Sequence, residues 1–209
     1  MKIIKPDVEI CIKDVIGQDI LEKIEVCGRV CYKSEGKIQE GSAEKFVANI
    51  IKRGHEAVLE HVSVTVKFIV DRGVSHEIVR HRLASYCQES TRYCNYSKDN
   101  FENEITVIKP LFLEEGTIGF EAWKNACEEA EAAYFNLLDY GCTPQEARSV
   151  LPNSLKTELV MTANLREWRT FFKLRTAPAA HPQMREVTIP LLEKFKTLIP
   201  VVFDGLSYE

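Results

Sequence analysis

Strand-like and helix-like segments intermingle along the whole of this chain, which predicts an α/β (α+β) class: a mixed sheet with flanking helices. Three observations carry that expectation. Val62, Val64, Val66 and Phe68 recur at every second residue, the period of a half-buried strand. A long helical stretch runs from about Thr117 to Tyr140 and stops at Gly141. Two helix-start signals follow, Thr143-Pro144-Gln145-Glu146 and Asn164 with Glu167, on either side of a mixed segment that reads as strand. The 209 residues, 45% hydrophobic and 28% charged, suit one compact domain over 1–209 and exclude a disordered chain.

Taken in order, Val8 to Ile12 alternates weakly and is expected to be a strand. Asp19 with Glu22 three positions on resembles a capping box, opening a helix with Ile20, Ile24, Cys27 and Cys31 on one face. Gly41-Ser42 opens a second helix with Phe46, Ile50 and Ile51 inward, ending near Gly54. A strand over Val62 to Val70 comes next, and Gly73-Val74-Ser75 then caps a short helix through about Ala84. The polar stretch holding Tyr86, Tyr93 and Tyr96 reads as irregular, and Ile105 to Ile108 as a short strand before Pro110. After the long helix, the one opened by Thr143 ends at Leu151-Pro152. Leu155 to Thr162 is the last strand. Asn164 caps the next helix with Glu167 in the reciprocal position, and the remainder is helical from about Pro182 to Leu198.

The charge balance is 27 basic against 31 acidic residues, or −4, which excludes a broad nucleic-acid-binding surface. There is no apolar run long enough to span a membrane and no signal-peptide pattern at the start. Seven cysteines, an odd number, together with the missing export signal, predict reduced thiols in a cytoplasmic protein. The acidic mean hides two basic stretches. Arg72 to Arg92 holds four Lys or Arg against two acids, and Cys142 to Arg185 holds seven against three. Local arginine excess in an acidic chain points to an anion site.

The densest chemistry is Arg80-His81-Arg82 through Tyr93. On a helix starting near Ser75, Glu77, Arg80, His81 and Ala84 would share one face. Such a row of cations calls for a phosphate or a delocalised ring anion, or else forms a solvated surface network with Glu77. In the second cluster, Leu165, Trp168, Phe172 and Arg175 fall on one helical stripe, unlike Arg166, Arg169 and Lys173. Arg175 is thereby expected on the apolar side of the helix end, in a strong local field, or else satisfying the helix's terminal carbonyls. Gly54-His55-Glu56-Ala57-Val58-Leu59-Glu60-His61 fails the H-E-x-x-H template at Leu59, and Cys27 and Cys31 lack a second pair, so no metal is expected. There is no P-loop, G-x-G-x-x-G or G-x-S-x-G.

Arg80-His81-Arg82, seven residues, then Ser90, one residue and Arg92 match R-H-R-x7-S-x-R, and the chain resembles the flavin-dependent thymidylate synthases. Gly54-His55-Glu56, Glu60-His61, Glu146-Ala147-Arg148, Leu151-Pro152, Asn164-Leu165-Arg166, Leu174-Arg175, His181 and Gln183 extend the likeness from roughly Asp19 to Ile199. The resemblance implies reductive methylation of dUMP to dTMP, with 5,10-methylenetetrahydrofolate as carbon donor, NADPH as reductant and no cysteine nucleophile. It further implies a homotetramer holding FAD and dUMP where subunits meet. Flavin contacts would fall on His55, Arg80, His81, Arg82, Gln88, Asn164, Arg166 and Thr170. Contacts to dUMP would fall on Glu77, Arg80, Gln88, Ser90, Arg92, Arg148 and Arg175, with Arg175 catalytic. Ala57 stands where many members carry a hydroxyl residue. Cys87 and Cys94 are the cysteines nearest the motif.

Overall fold

A computed structural model describes residues 1–11, 17–98 and 101–208. Strands β1 (Lys2–Ile4), β2 (Asp7–Ile10), β3 (Ser63–Asp71), β4 (Ala84–Gln88), β5 (Thr106–Ile108) and β6 (Lys156–Asn164) intermingle with helices. These are α1 (Gln18–Tyr32), α2 (Ser42–Lys52), α3 (Arg72–Ile78), α4 (Ile118–Asp139), α5 (Pro144–Ala147), α6 (Leu165–Arg175), α7 (Pro182–Leu198) and α8 (Pro200–Phe203). One sheet has the order β2-β3-β6-β4, and β1 pairs in parallel with β5, Ile3 opposite Val107. The mixed α/β architecture is the one the sequence predicts. No described helix is long and apolar enough to cross a membrane.

The strands follow their side chains. In β3, Val64, Val66, Phe68 and Val70 are buried at alternate positions, and in β6 so are Thr157, Leu159, Met161 and Ala163. The chain forms two compact units, one of Met1–Asp7, Phe68–Arg80 and Cys87–Val160, the other of Val8–Lys67, His81–Tyr86 and Met161–Glu209. The first packs Tyr96, Ile105, Val107, Cys127, Tyr134 and Leu155 together. Within it the Trp123 indole N–H donates to Ser154 Oγ at 3.0 Å, and Glu131 accepts from the Ile105 amide at 2.8 Å. The second centres on Trp168, Phe171, Phe172, Phe195 and Phe203, all at most 1% exposed, with ring centroids 5.0–5.8 Å apart. There the Trp168 indole donates to the Val64 carbonyl at 3.0 Å, satisfying its one polar atom.

Several boundaries differ from the expectation, each for a local reason. The strand expected over Val8 to Ile12 is β2, Asp7–Ile10, and Ile12 lies outside the described residues. Helix α1 starts at Gln18 after Gly17, whose φ of 87° suits glycine, so Asp19 lies inside the first turn rather than capping it. Cys31 is exposed and Cys27 partly buried; the inward face is Ile20, Leu21, Ile24, Glu25 and Gly28. Gly28 is there because a Cβ would meet the Phe46 ring at 2.7 Å. On α2 the buried residues are Ala43, Val47 and Ile50, while Phe46 and Ile51 are half-buried. Helix α3 begins one residue after Asp71, whose carboxylate accepts from the Val74 amide at 2.8 Å, and it ends at Ile78 instead of about Ala84. Ala84 opens β4, an edge strand that the sequence leaves irregular because its alternation carries few apolar side chains.

Candidate active site

Arg80, His81 and Arg82 lie beyond the end of α3, so the expected helical face of Glu77, Arg80, His81 and Ala84 does not form. The chain puts His81 and Arg82 in the second unit and Glu77 and Arg80 in the first.

In the second unit, His81 is 6% exposed and meets the Phe171 ring edge-on at 4.8 Å. Arg175 Nε donates to His81 Nε2 at 2.8 Å, and His81 Nδ1 lies 3.3 Å from Glu167 Oε1. Burial, and after it the Arg175 cation, lower the imidazole to about 4. The ring is therefore neutral near pH 7. Its Nε2 lone pair accepts the arginine hydrogen bond, so its own proton sits on Nδ1, facing the Glu167 carboxylate. Burial raises the Glu167 carboxyl. Carboxylate, imidazole and guanidinium form a chain that fixes the plane of Arg175.

The end of α6 does not need Arg175 for its carbonyls. Phe172 O accepts from the Thr176 amide and hydroxyl at 3.0 and 2.8 Å, Arg175 O accepts from the Thr188 hydroxyl at 2.9 Å, and Thr176 O from Arg185 Nε at 3.1 Å. The helix-end role weighed for Arg175 thus belongs to its neighbours. The sequence places Arg175 against Trp168 and Phe172, whereas its hydrogen-bonded neighbour is His81, itself packed on Phe171. Arg169, expected on the polar face, is 7% exposed; it pairs with Glu56 at 3.1 Å and donates to the Val202 carbonyl.

Around this chain of groups, Arg82 donates to the His81 carbonyl at 3.1 Å, as does the Tyr86 hydroxyl. Burial, then Glu167, push the Tyr86 hydroxyl up to about 12, against the pull of Arg82 and Arg175, so it stays a donor. Asn164 caps α6 by accepting from the Glu167 amide at 2.8 Å. That is the expected cap, but the Glu167 side chain faces His81 and makes no reciprocal bond. Arg166 pairs with Glu60 at 2.6 Å, the Thr170 hydroxyl donates to the Arg166 carbonyl at 3.3 Å, and His55 Nδ1 lies 2.8 Å from the Tyr32 hydroxyl.

In the first unit, Gln88 donates its amide protons to Ser75 Oγ and Thr157 Oγ1 at 2.9 and 3.2 Å, which pins the side chain. Ser90 starts a turn: its carbonyl accepts from Tyr93 and Cys94, and its hydroxyl from the Arg92 amide at 3.3 Å. Arg92 is exposed beside the Tyr93 ring. Arg148 donates to the Thr91 hydroxyl at 3.2 Å, and Arg80 is exposed at the end of α3. Burial, with Glu89 adding to it, raises the Cys94 thiol, while Cys87 is exposed.

Sequence reasoning missed Glu167 as the partner of His81, Tyr86, Tyr32 and Thr91. Glu167 carries a signal, a carboxylate three residues past a cap, but a capping box would account for the same spacing. No pattern in the sequence announces a pairing such as His81 with Arg175, 94 positions apart.

The unit-2 donors fit a flavin dinucleotide chemically. Arg82 and Arg166 offer exposed guanidinium groups suited to a diphosphate, and Leu83, 80% exposed, offers apolar surface for a flat ring.

Residues 16–201 match the family described as thymidylate synthase complementing protein. A flavin-dependent thymidylate synthase of Pyrococcus furiosus is 35% identical over 159 residues, taking in 76% of this chain and 64% of that protein. One from Geobacter sulfurreducens is 33% identical over 187 residues, 86% of this chain and 79% of that protein. The fold is similar to that of a UMP/dUMP methylase from Streptomyces cacaoi bound with 5-Br dUMP, with a TM-score of 0.78, 24% identity and coverage of 98% and 96% of the two chains.

Proposed function

Since the chain belongs to the thymidylate synthase complementing protein family, whose curated relatives are flavin-dependent thymidylate synthases, we propose that it reductively methylates dUMP to dTMP. The carbon comes from 5,10-methylenetetrahydrofolate and the electrons from NADPH. When bound, FAD supplies the hydride chemistry that makes the transferred carbon a methyl group. The enzyme is a cytoplasmic homotetramer with active sites where subunits meet, and residues 1–209 act as one catalytic domain.

The observation that carries this reading is the 2.8 Å bond from Arg175 to a buried, neutral His81 backed by Glu167. Carbon 5 of uracil is a poor nucleophile, and attack needs electron density pushed toward it. A guanidinium held in plane beside the uracil imide stabilises negative charge on the ring without reorganising at the moment of reaction. Glu167 and His81 orient that cation, and Phe171 packs edge-on against the imidazole and helps to hold it in place. Arg92, Arg148 and the Ser90 hydroxyl hold the phosphate, with Glu77, Arg80 and Gln88 on the rest of the nucleotide. His55, Arg80, His81, Arg82, Gln88, Asn164, Arg166 and Thr170 hold FAD. Burial raises the Cys94 thiol, which disfavours Cys94 as a thiolate adding to carbon 6.

Formation of dTMP from dUMP, dependent on FAD, folate and NADPH together, tests the reading. In that assay Arg175→Lys should lose turnover by at least about a hundredfold while dUMP affinity falls less than about tenfold, since lysine lacks the planar fork and the Nε–H that meets His81. Equal losses in both would contradict the role given to Arg175.

A further inference from the structure

We propose that a basic groove between α1 and α2 holds the γ-glutamyl tail of the folate co-substrate, and so favours a folate that carries several γ-linked glutamates. The inference rests on folate being the carbon donor. In the second unit a cleft of about 360 Å³ is lined by Arg29, Tyr32, Lys37, Phe46, Asn49 and Arg53, among others. A second cleft of about 330 Å³ shares Arg29, Lys37, Phe46 and Asn49 with it, so the two are parts of one groove. The second adds Lys45, and Glu40 is the one carboxylate among the described residues that line either. Four cations against one acid, in a chain of net charge −4, mark the groove for an anion.

Arg29 is held in place before any ligand arrives. Its Nε and Nη2 donate to Glu25 Oε1 at 3.0 and 2.6 Å, and Glu25, 1% exposed, also accepts from the Ser42 hydroxyl at 2.7 Å. The guanidinium carbon lies 4.5 Å from the centre of the Phe46 ring. These contacts fix the arginine plane, while Nη1 has no hydrogen-bond partner among the described residues. Lys37, Lys45 and Arg53 are exposed and form no ion pair among the described residues. Lys45 and Asn49 on α2 and Arg53 at its C-cap recur at every fourth residue, so they follow one face about 6 Å apart. A γ-linked glutamate is longer than an α-linked residue by two backbone bonds, so an extended tail presents a carboxylate about every 6 Å. The two spacings agree. Tyr32, which lines the first cleft, has its hydroxyl 2.8 Å from His55 Nδ1, and His55 is a flavin contact of the proposed site. The groove thus adjoins the place to which the one-carbon unit must be delivered.

The test compares 5,10-methylenetetrahydrofolate bearing a single glutamate with its pentaglutamate, in the holoenzyme. Wild type should show a KM at least about fivefold lower for the pentaglutamate, and the gap should close as salt is raised, as it must for several weak exposed contacts. Lys45→Gln combined with Arg53→Gln should bring the two KM values within about twofold of each other, and Lys45→Arg combined with Arg53→Lys should keep the gap. No preference in wild type, or a preference that survives the glutamine pair, would overturn the proposal while leaving dUMP methylation intact. So would a rise confined to the KM for NADPH, which would assign the groove to the phosphates of the reductant. If wild type makes no dTMP from dUMP, the functional reading fails by itself, and titration of free penta-γ-glutamate into the FAD-reconstituted protein decides the groove. Binding should weaken at least about fivefold in the glutamine pair; absent binding, or equal binding in both proteins, would overturn the proposal.

Discussion

At the scale of single residues, the site works by denying its charged groups alternatives. His81 resists protonation near neutrality because it is buried and its Nε2 already accepts a hydrogen bond from the Arg175 cation. Arg175 is spared the helix end because Thr176, Thr188 and Arg185 satisfy the carbonyls there. The depressed imidazole has a consequence for stability. In the unfolded chain His81 binds its proton near the ordinary value of 6.5, and in the folded chain only near 4. Between those values the unfolded state holds more protons, so His81 subtracts stability as pH falls from 6.5 to about 4 and has no such effect above 6.5. His81→Gln should therefore unfold in urea with a flatter pH dependence than wild type across that window. Identical slopes would mean that His81 is not held neutral.

Elements carry the next level of the account, and α6 is the one on which the site depends. Its Asn164 cap satisfies the Glu167 amide, its Trp168, Phe171 and Phe172 build the aromatic core, and its last residue is Arg175. Asn164→Ala should destabilise the protein by about 1 kcal/mol, and Asn164→Ser should recover most of that, as measured by urea unfolding. No loss in the alanine variant would show that the cap does not set the helix start. This element was legible in the sequence because cap, stripe and boundary are all local signals. The same holds for the box at Thr143, where Glu146 accepts from the Thr143 amide and hydroxyl at 2.7 and 2.6 Å. Helix α3 and strand β4 differ from the expectation because Asp71, the cap, precedes the expected start, and because β4 is placed by its neighbour in the sheet. Propensity says little about an edge strand with polar alternation.

For the whole molecule, the motif R-H-R-x7-S-x-R is contiguous in sequence yet its residues serve two packing units, His81 and Arg82 in one and Ser90 and Arg92 in the other. The sequence marked the residue types and the family, since both lie in a short, fixed spacing. It did not show Glu167 behind His81 or Thr91 beside Arg148, since those depend on folding distant segments together. The proposed function requires the chain to bind FAD and dUMP together. Its most direct measurement is the visible absorption spectrum of the FAD-reconstituted protein during a dUMP titration. The account predicts a flavin band that shifts saturably as dUMP binds; a protein that takes up no FAD, or whose flavin band ignores saturating dUMP, would contradict it.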